Sequence, residues 1–123
     1  MKQHGFSLVE ILITLGIISI VTAIGYPQYQ HVIARSRTRQ AIWQLQHWAT
    51  ALNHHYLHHH QFNNAKIAPP RVTGYQFQLK LETDHHYTLT ATPSPQQQRY
   101  NPCGTLKLRY HQATVSESKP CPI

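Results

Sequence analysis

The chain has 123 residues, room for one small domain plus a segment folding outside it, which excludes a multidomain enzyme. Lys and Arg number 11 against four acids, Glu10, Glu82, Asp84 and Glu117, so the formal charge is +7 and anionic partners are favoured: nucleic acid, acidic lipid or acidic protein. Charged residues make up only 12%, and the strongly apolar ones concentrate in residues 6–24, leaving a polar, basic, His- and Gln-rich remainder.

From Phe6 to Tyr26 the sequence FSLVEILITLGIISIVTAIGY holds one acid, Glu10, and no Lys or Arg. As a helix it is about 31 Å long, which matches a hydrocarbon core of about 30 Å. Three readings compete: a permanent anchor, a cleaved secretory signal, and an apolar core helix. The small residues of Val21-Thr22-Ala23 would suit a signal peptidase. Against that reading, Glu10 interrupts the apolar stretch and helical periodicity continues past the cut. An acid costs about 2.5–3.5 kcal/mol at the centre of an inserted helix, and less near its end. It needs a partner, and cleavage after Gly5 would create one, the free amine of Phe6 four positions before it.

Gly25 and Pro27 predict a kink or a melted stretch at the membrane boundary, since proline lacks a backbone donor and crowds the preceding turn. Beyond it, Ile42, Leu45, Ala49, Leu52 and Tyr56 recur at helical spacing, so an amphipathic helix over about residues 28–60 buries this stripe as core. Asn63-Asn64 and Pro69-Pro70 end it. Tyr75, Phe77, Leu79 and Leu81 then alternate with polar residues, as do Tyr87, Leu89 and Ala91, and Leu106, Leu108 and Tyr110. Period 2 predicts strands with one buried face, and residues 82–86 are short enough for a hairpin. Residues 93–102, with three prolines and Gln96-Gln97-Gln98, read as a surface loop. The expected fold is α+β: a long N-terminal helix on an antiparallel sheet of three to four strands over about residues 73–116.

Cys103 and Cys121, set among Pro102, Gly104, Pro120 and Pro122, form an even count behind an apolar N-terminus. That points to an exported, disulfide-bonded chain, in competition with two buried free thiols in a cytosolic one.

The stretch Gly5-Phe6-Ser7-Leu8-Val9-Glu10, opening an apolar run that closes on Tyr26-Pro27, resembles the class III signal of type IV prepilins. Arg35-Ser36-Arg37 with Ala41, Tyr56, the run from Tyr87 to Pro93, Cys103-Gly104-Thr105-Leu106 and Cys121 resemble the PilE-like minor pilins. The resemblance implies a pilin fold, with a leader over residues 1–5 carrying Lys2, a membrane and filament-core helix over 6–26 and a periplasmic head over 27–123. It implies that a prepilin peptidase cuts between Gly5 and Phe6 and methylates the Phe6 amine, and that Glu10 positions the incoming subunit during assembly. The implied partners are other pilin subunits, the prepilin peptidase and the assembly platform of the inner membrane; the implied end point is a pilus on the cell surface. A type II secretion pseudopilin, which shares the N-terminal motif, is a further alternative, although the paired cysteines and the missing acidic calcium-loop residues disfavour its major form.

Arg35, Arg37 and Arg39 lie where the positive-inside rule would place them in the cytoplasm, in conflict with the prepilin motif and the cysteine pair, which need the head on the oxidising side. They are expected to line a filament surface or meet acids of neighbouring pilins; contact with DNA, as in a competence pilus, is the alternative. His54, His55, His58, His59 and His60 contain two i, i+4 pairs, but with no carboxylate near them they read as solvated surface, so no metal and no cofactor is expected. No phosphate loop, paired carboxylates or nucleophile constellation is present, so the chain reads as a non-enzyme.

Overall fold

The computed structural model describes residues 5–62, 67–83 and 85–121. Lys2, Asn63-Asn64, Asp84 and Pro122 lie outside them. Helix α1, Leu8–His59, starts at Ser7, whose side chain accepts a hydrogen bond from the Glu10 backbone N–H. It ends at His60, in the left-handed region with φ 57°, whose N–H donates to the Tyr56 carbonyl at 2.7 Å. No melted stretch separates two helices: α1 runs unbroken through Gly25 and Pro27. Proline removes one bond from a ladder that is cooperative on both sides, and losing that bond costs less than ending and renucleating a helix.

The sheet is a single antiparallel meander: β1 (Tyr75–Thr83), β2 (His86–Pro93), β3 (Leu106–Arg109) and β4 (Ser116–Glu117), in sequence order. Leu79 pairs with Leu89 and Leu89 with Leu108, so the alternation read from sequence places these side chains on the face toward α1. Of the predicted helical stripe, Leu45, Ala49 and Leu52 are buried and Ile42 and Tyr56 flank them. The seam continues N-terminally through Ala41, Thr38 and Ala34. Because α1 lies over β2 and β3, the far end of β1 is uncovered and Leu81 is 38% exposed.

Past the helix cap the chain turns back and inserts Phe62, 1% exposed, stacked on Tyr56 at 4.8 Å and edge-on to Tyr87 at 4.8 Å. The Tyr87 hydroxyl donates to Asn53 Oδ1 at 3.0 Å. Burial pushes Tyr87 up to about 12, the Asn53 bond acting against it and Tyr110 adding to it.

Residues 93–102 do not form the expected surface loop. They contain helix α2, Pro95–Tyr100, capped by Ser94, whose Oγ accepts from the Gln97 N–H at 3.2 Å, with Pro95 in the first turn where no donor is needed. Gln97, 1% exposed, donates through Nε2 to the Ala34 carbonyl at 2.6 Å and to Thr38 Oγ1 at 3.2 Å. Asn101 Nδ2 donates to the same Thr38 oxygen at 2.7 Å, and the Tyr75 hydroxyl lies 2.8 Å from it. This buried polar cluster ties α2 and β1 to α1. Gly74 borders it at φ +88°, and a Cβ there would lie 3.2 Å from Gln97 Oε1. Gln97→Ala is expected to destabilise the head by about 1–3 kcal/mol, since it strips buried groups of their partner. The solvent-facing Gln96→Ala should stay within about 0.5 kcal/mol. Denaturant unfolding of the full chain in detergent, followed by Trp48 fluorescence, measures both.

Cys103 and Cys121 are joined in a disulfide with Cα atoms 5.0 Å apart, which decides against free thiols. The bond closes a loop holding β3 and β4 and stabilises the head by about 3 kcal/mol on the chain-entropy estimate. Lys119 and Ser118 backbone N–H groups donate to the Cys103 and Thr105 carbonyls, both at 3.1 Å, pinning the C-terminal segment beside Gly104 at φ +70°. Glu117 lies close to both sulfurs, but as they are bonded to each other they are not metal ligands.

Candidate functional site

Glu10 sits in the first turn of α1, held by a reciprocal cap: its Oε2 accepts from the Ser7 N–H at 3.2 Å while Ser7 Oγ accepts from the Glu10 N–H at 3.2 Å. The carboxylate is thereby aimed at the positive end of the helix dipole, one residue from the Phe6 nitrogen. Gly5 is in open space and Phe6 is 86% exposed. Leu8, Leu12, Ile17, Val21 and Ile24 are exposed as well, and the most apolar 18-residue window of α1 has a mean hydropathy of 2.3 with none of it buried. A rod of this kind is stable only where lipid or other apolar helices surround it. Within it, Thr14, Ser19 and Thr22 return their hydroxyls to carbonyls four residues back at 2.7–2.8 Å, so their polarity is absorbed inside the helix.

The three predicted arginines do not share a surface. Arg35 and Arg37 are half-buried on opposite flanks of the seam formed by Ala34, Thr38 and Ala41, and Arg39 is exposed. Arg37 packs beside the polar cluster, where a Cβ on Gly74 would lie 3.6 Å from its Cδ.

A more coherent cationic surface lies on the outer face of the sheet. Lys80 pairs with Thr88, and Thr88 with Arg109; one rung along, Gln78 pairs with Thr90, Thr90 with Lys107, and Lys107 with Ser116. Lys80, Lys107 and Arg109 are exposed, and Thr88, between Lys80 and Arg109 in register, donates to Glu82 Oε1 at 3.0 Å. Sequence reasoning passed over these residues, although the alternation that turns Leu106 and Leu108 inward turns Lys107 and Arg109 outward. Arg71, Arg99 and Lys119 are further exposed cations of the head.

The histidines gather at the opposite end of α1 from Glu10. His54 and His58 have ring centroids 4.8 Å apart, His55 and His59 stack at 4.3 Å, and His60 lies edge-on to Tyr56.

Comparison with known proteins resolves the family. A model of the prokaryotic N-terminal methylation motif matches residues 1–26. A second model, described as type IV minor pilin ComP, DNA uptake sequence receptor, matches residues 27–107, well over half of the chain. The chain belongs to this family of type IV pilins. A type IV major pilin protein PilE1 of Neisseria gonorrhoeae is 35% identical over 72 residues, 55% of this pilin and 44% of that protein. The type IV major fimbrial protein FimA of Dichelobacter nodosus is 42% identical over 50 residues, 41% of this pilin and 32% of that protein. The pilin thus spans less than half the length of these curated relatives. A solved type IV pilin from Shewanella oneidensis matches its fold with a TM-score of 0.60 at 25% identity, covering 73% of this pilin and 98% of that chain. The long helix, the four-stranded antiparallel sheet and the C-terminal disulfide are those expected of a pilin, a structural protein family.

Proposed function

We propose that this chain is a minor type IV pilin whose head captures DNA at the pilus surface. One observation carries the reading: the span that matches a family described as a DNA uptake sequence receptor bears Lys80 and Lys107 on the outer face of its sheet, with Arg109 two residues beyond it. Neighbouring strands are about 4.8 Å apart, so these long cationic side chains can follow a phosphate backbone across the rungs. Gln76, Gln78, Thr90 and Thr92 share that face and offer amide and hydroxyl groups to phosphate oxygens. Arg39 is exposed on the side of α1 turned away from the sheet and so stands apart from this surface, whereas Arg35 and Arg37, half-buried beside the seam, shape the base of the subunit and its contacts with neighbouring pilins.

The N-terminal half serves assembly. The precursor waits in the inner membrane with its head in the periplasm, the side on which the disulfide forms. Prepilin peptidase cuts between Gly5 and Phe6 and methylates the new amine; the assembly platform then passes the subunit to the growing filament. There the apolar rod exchanges lipid for other pilin helices and Glu10 neutralises a Phe6 amine.

The full chain in detergent micelles should retard duplex DNA at low salt, with binding that falls steeply as salt rises. Each phosphate contact contributes about 0.9 to the slope of log K against log salt, so replacing Lys80, Lys107 and Arg109 with Gln should lower that slope by about 2.7. Absence of retardation at about 50 mM salt would remove DNA capture and leave a purely structural subunit.

A further inference from the structure

The last turns of α1 hold four imidazoles and its cap, His60, a fifth, and the sequence has no acid between Glu10 and Glu82 to pair with them. Two of the five differ from ordinary solvated histidines. The rings of His55 and His59 stack with centroids 4.3 Å apart and planes 12° from parallel. His59 Nδ1 lies 3.3 Å from the His55 carbonyl oxygen. Donating its proton there leaves the lone pair on Nε2, the arrangement that fixes the tautomer of a metal-ligating histidine. His55 Nε2 is shielded from solvent and has no hydrogen-bond partner among the described residues. An orphaned polar nitrogen of this kind is costly unless a ligand completes it.

We infer that His55 and His59 form a two-imidazole site for a borderline divalent transition-metal ion, of the Cu2+ or Zn2+ class, with water in the remaining positions. Histidines four apart on a helix face the same side, and the terminal torsion of the side chain is broad, so rotations that open the stack let the in-plane lone pairs of both Nε2 atoms converge on one ion. The ion would sit over the last turn of α1, at the negative end of the helix dipole. Imidazole donors without carboxylates suit Cu2+ and Zn2+ and not Mg2+ or Ca2+. The neighbouring pair His54 and His58 has the same spacing, but both residues are exposed and neither carries an orphaned nitrogen.

Calorimetric titration of the untagged full chain in detergent tests the site. One equivalent of Cu2+ should bind, more tightly than Zn2+, and Mg2+ should give no heat. His59→Gln, at an exposed position, should weaken binding by at least about tenfold, as should His55→Gln. His47→Gln and His54→Gln should leave it unchanged, with far-UV circular dichroism confirming the helix in every variant. No stoichiometric binding, binding that survives His59→Gln, or binding lost on replacing His54 would each overturn the assignment. His59→Gln alone decides the matter should His55→Gln fail to fold.

Discussion

Phe62→Ala is expected to cost the head about 3–5 kcal/mol, a loss at the upper end for truncating one buried side chain. The side chain is only 1% exposed and touches Tyr56, Tyr87 and Tyr110, so its removal opens a cavity walled by three rigid aromatic rings that have little freedom to collapse into it. Phe62 also anchors the chain directly after the left-handed cap of α1, so the loss is felt where helix and sheet are joined. A small domain has only about 5–15 kcal/mol in total, which makes the change a large fraction of it. Thermal unfolding of the full chain in detergent, read by Trp48 fluorescence, should show a sharply lowered midpoint. Leu57→Ala, at a side chain 75% exposed, should shift it little. Equal midpoints for the two variants would mean that the aromatic cluster does not hold the head together.

Phe62 also shows where the sequence stops being legible. Its burial follows no period: it stands alone beyond the helical stripe, and only the reversal at His60 brings it under Tyr56. Strands were readable because Leu79, Leu89 and Leu108 alternate with polar neighbours and register carries that alternation across the sheet. Helix α1 was readable from its own period, except at Pro27, where the melted stretch that local chemistry allows is not found because a cooperative ladder continues on both sides. Helix α2 was hidden, because Gln97 and Asn101 are core residues through hydrogen bonds to Ala34 and Thr38, some sixty positions away. Ser94-Pro95, a capping residue followed by a first-turn proline, was the available signal. In the candidate site, Glu10 stood out because an isolated acid in an apolar run is costly. Lys80, Lys107 and Arg109 did not, because they become one surface only when three strands are aligned.

Glu10→Gln is expected to abolish filament incorporation while leaving the membrane-inserted precursor at its normal level. The substitution separates two roles. Gln preserves the reciprocal cap with Ser7, because a side-chain amide oxygen can accept the Ser7 N–H as the carboxylate does. It also lowers the cost of inserting the segment. What it removes is the negative charge, so a Phe6 amine in the filament core would be left without its counter-charge. Breaking one partner of a buried pair costs about 3–5 kcal/mol. At about 1.4 kcal/mol per factor of ten, subunit docking weakens by roughly two to four orders of magnitude. Immunoblots of membrane and sheared-filament fractions should show an intact membrane pool and an empty filament fraction. Wild-type incorporation of the Gln variant would mean that the carboxylate acts only as a helix cap.

The Phe6 amine that Glu10 is to neutralise exists only after processing. Intact-mass and N-terminal peptide mass spectrometry of the protein recovered from its cells tests this directly. A chain that starts at Phe6 with one methyl group on its amine is the predicted result. A chain that still starts at Met1, or one cut near Val21-Thr22-Ala23, would contradict it.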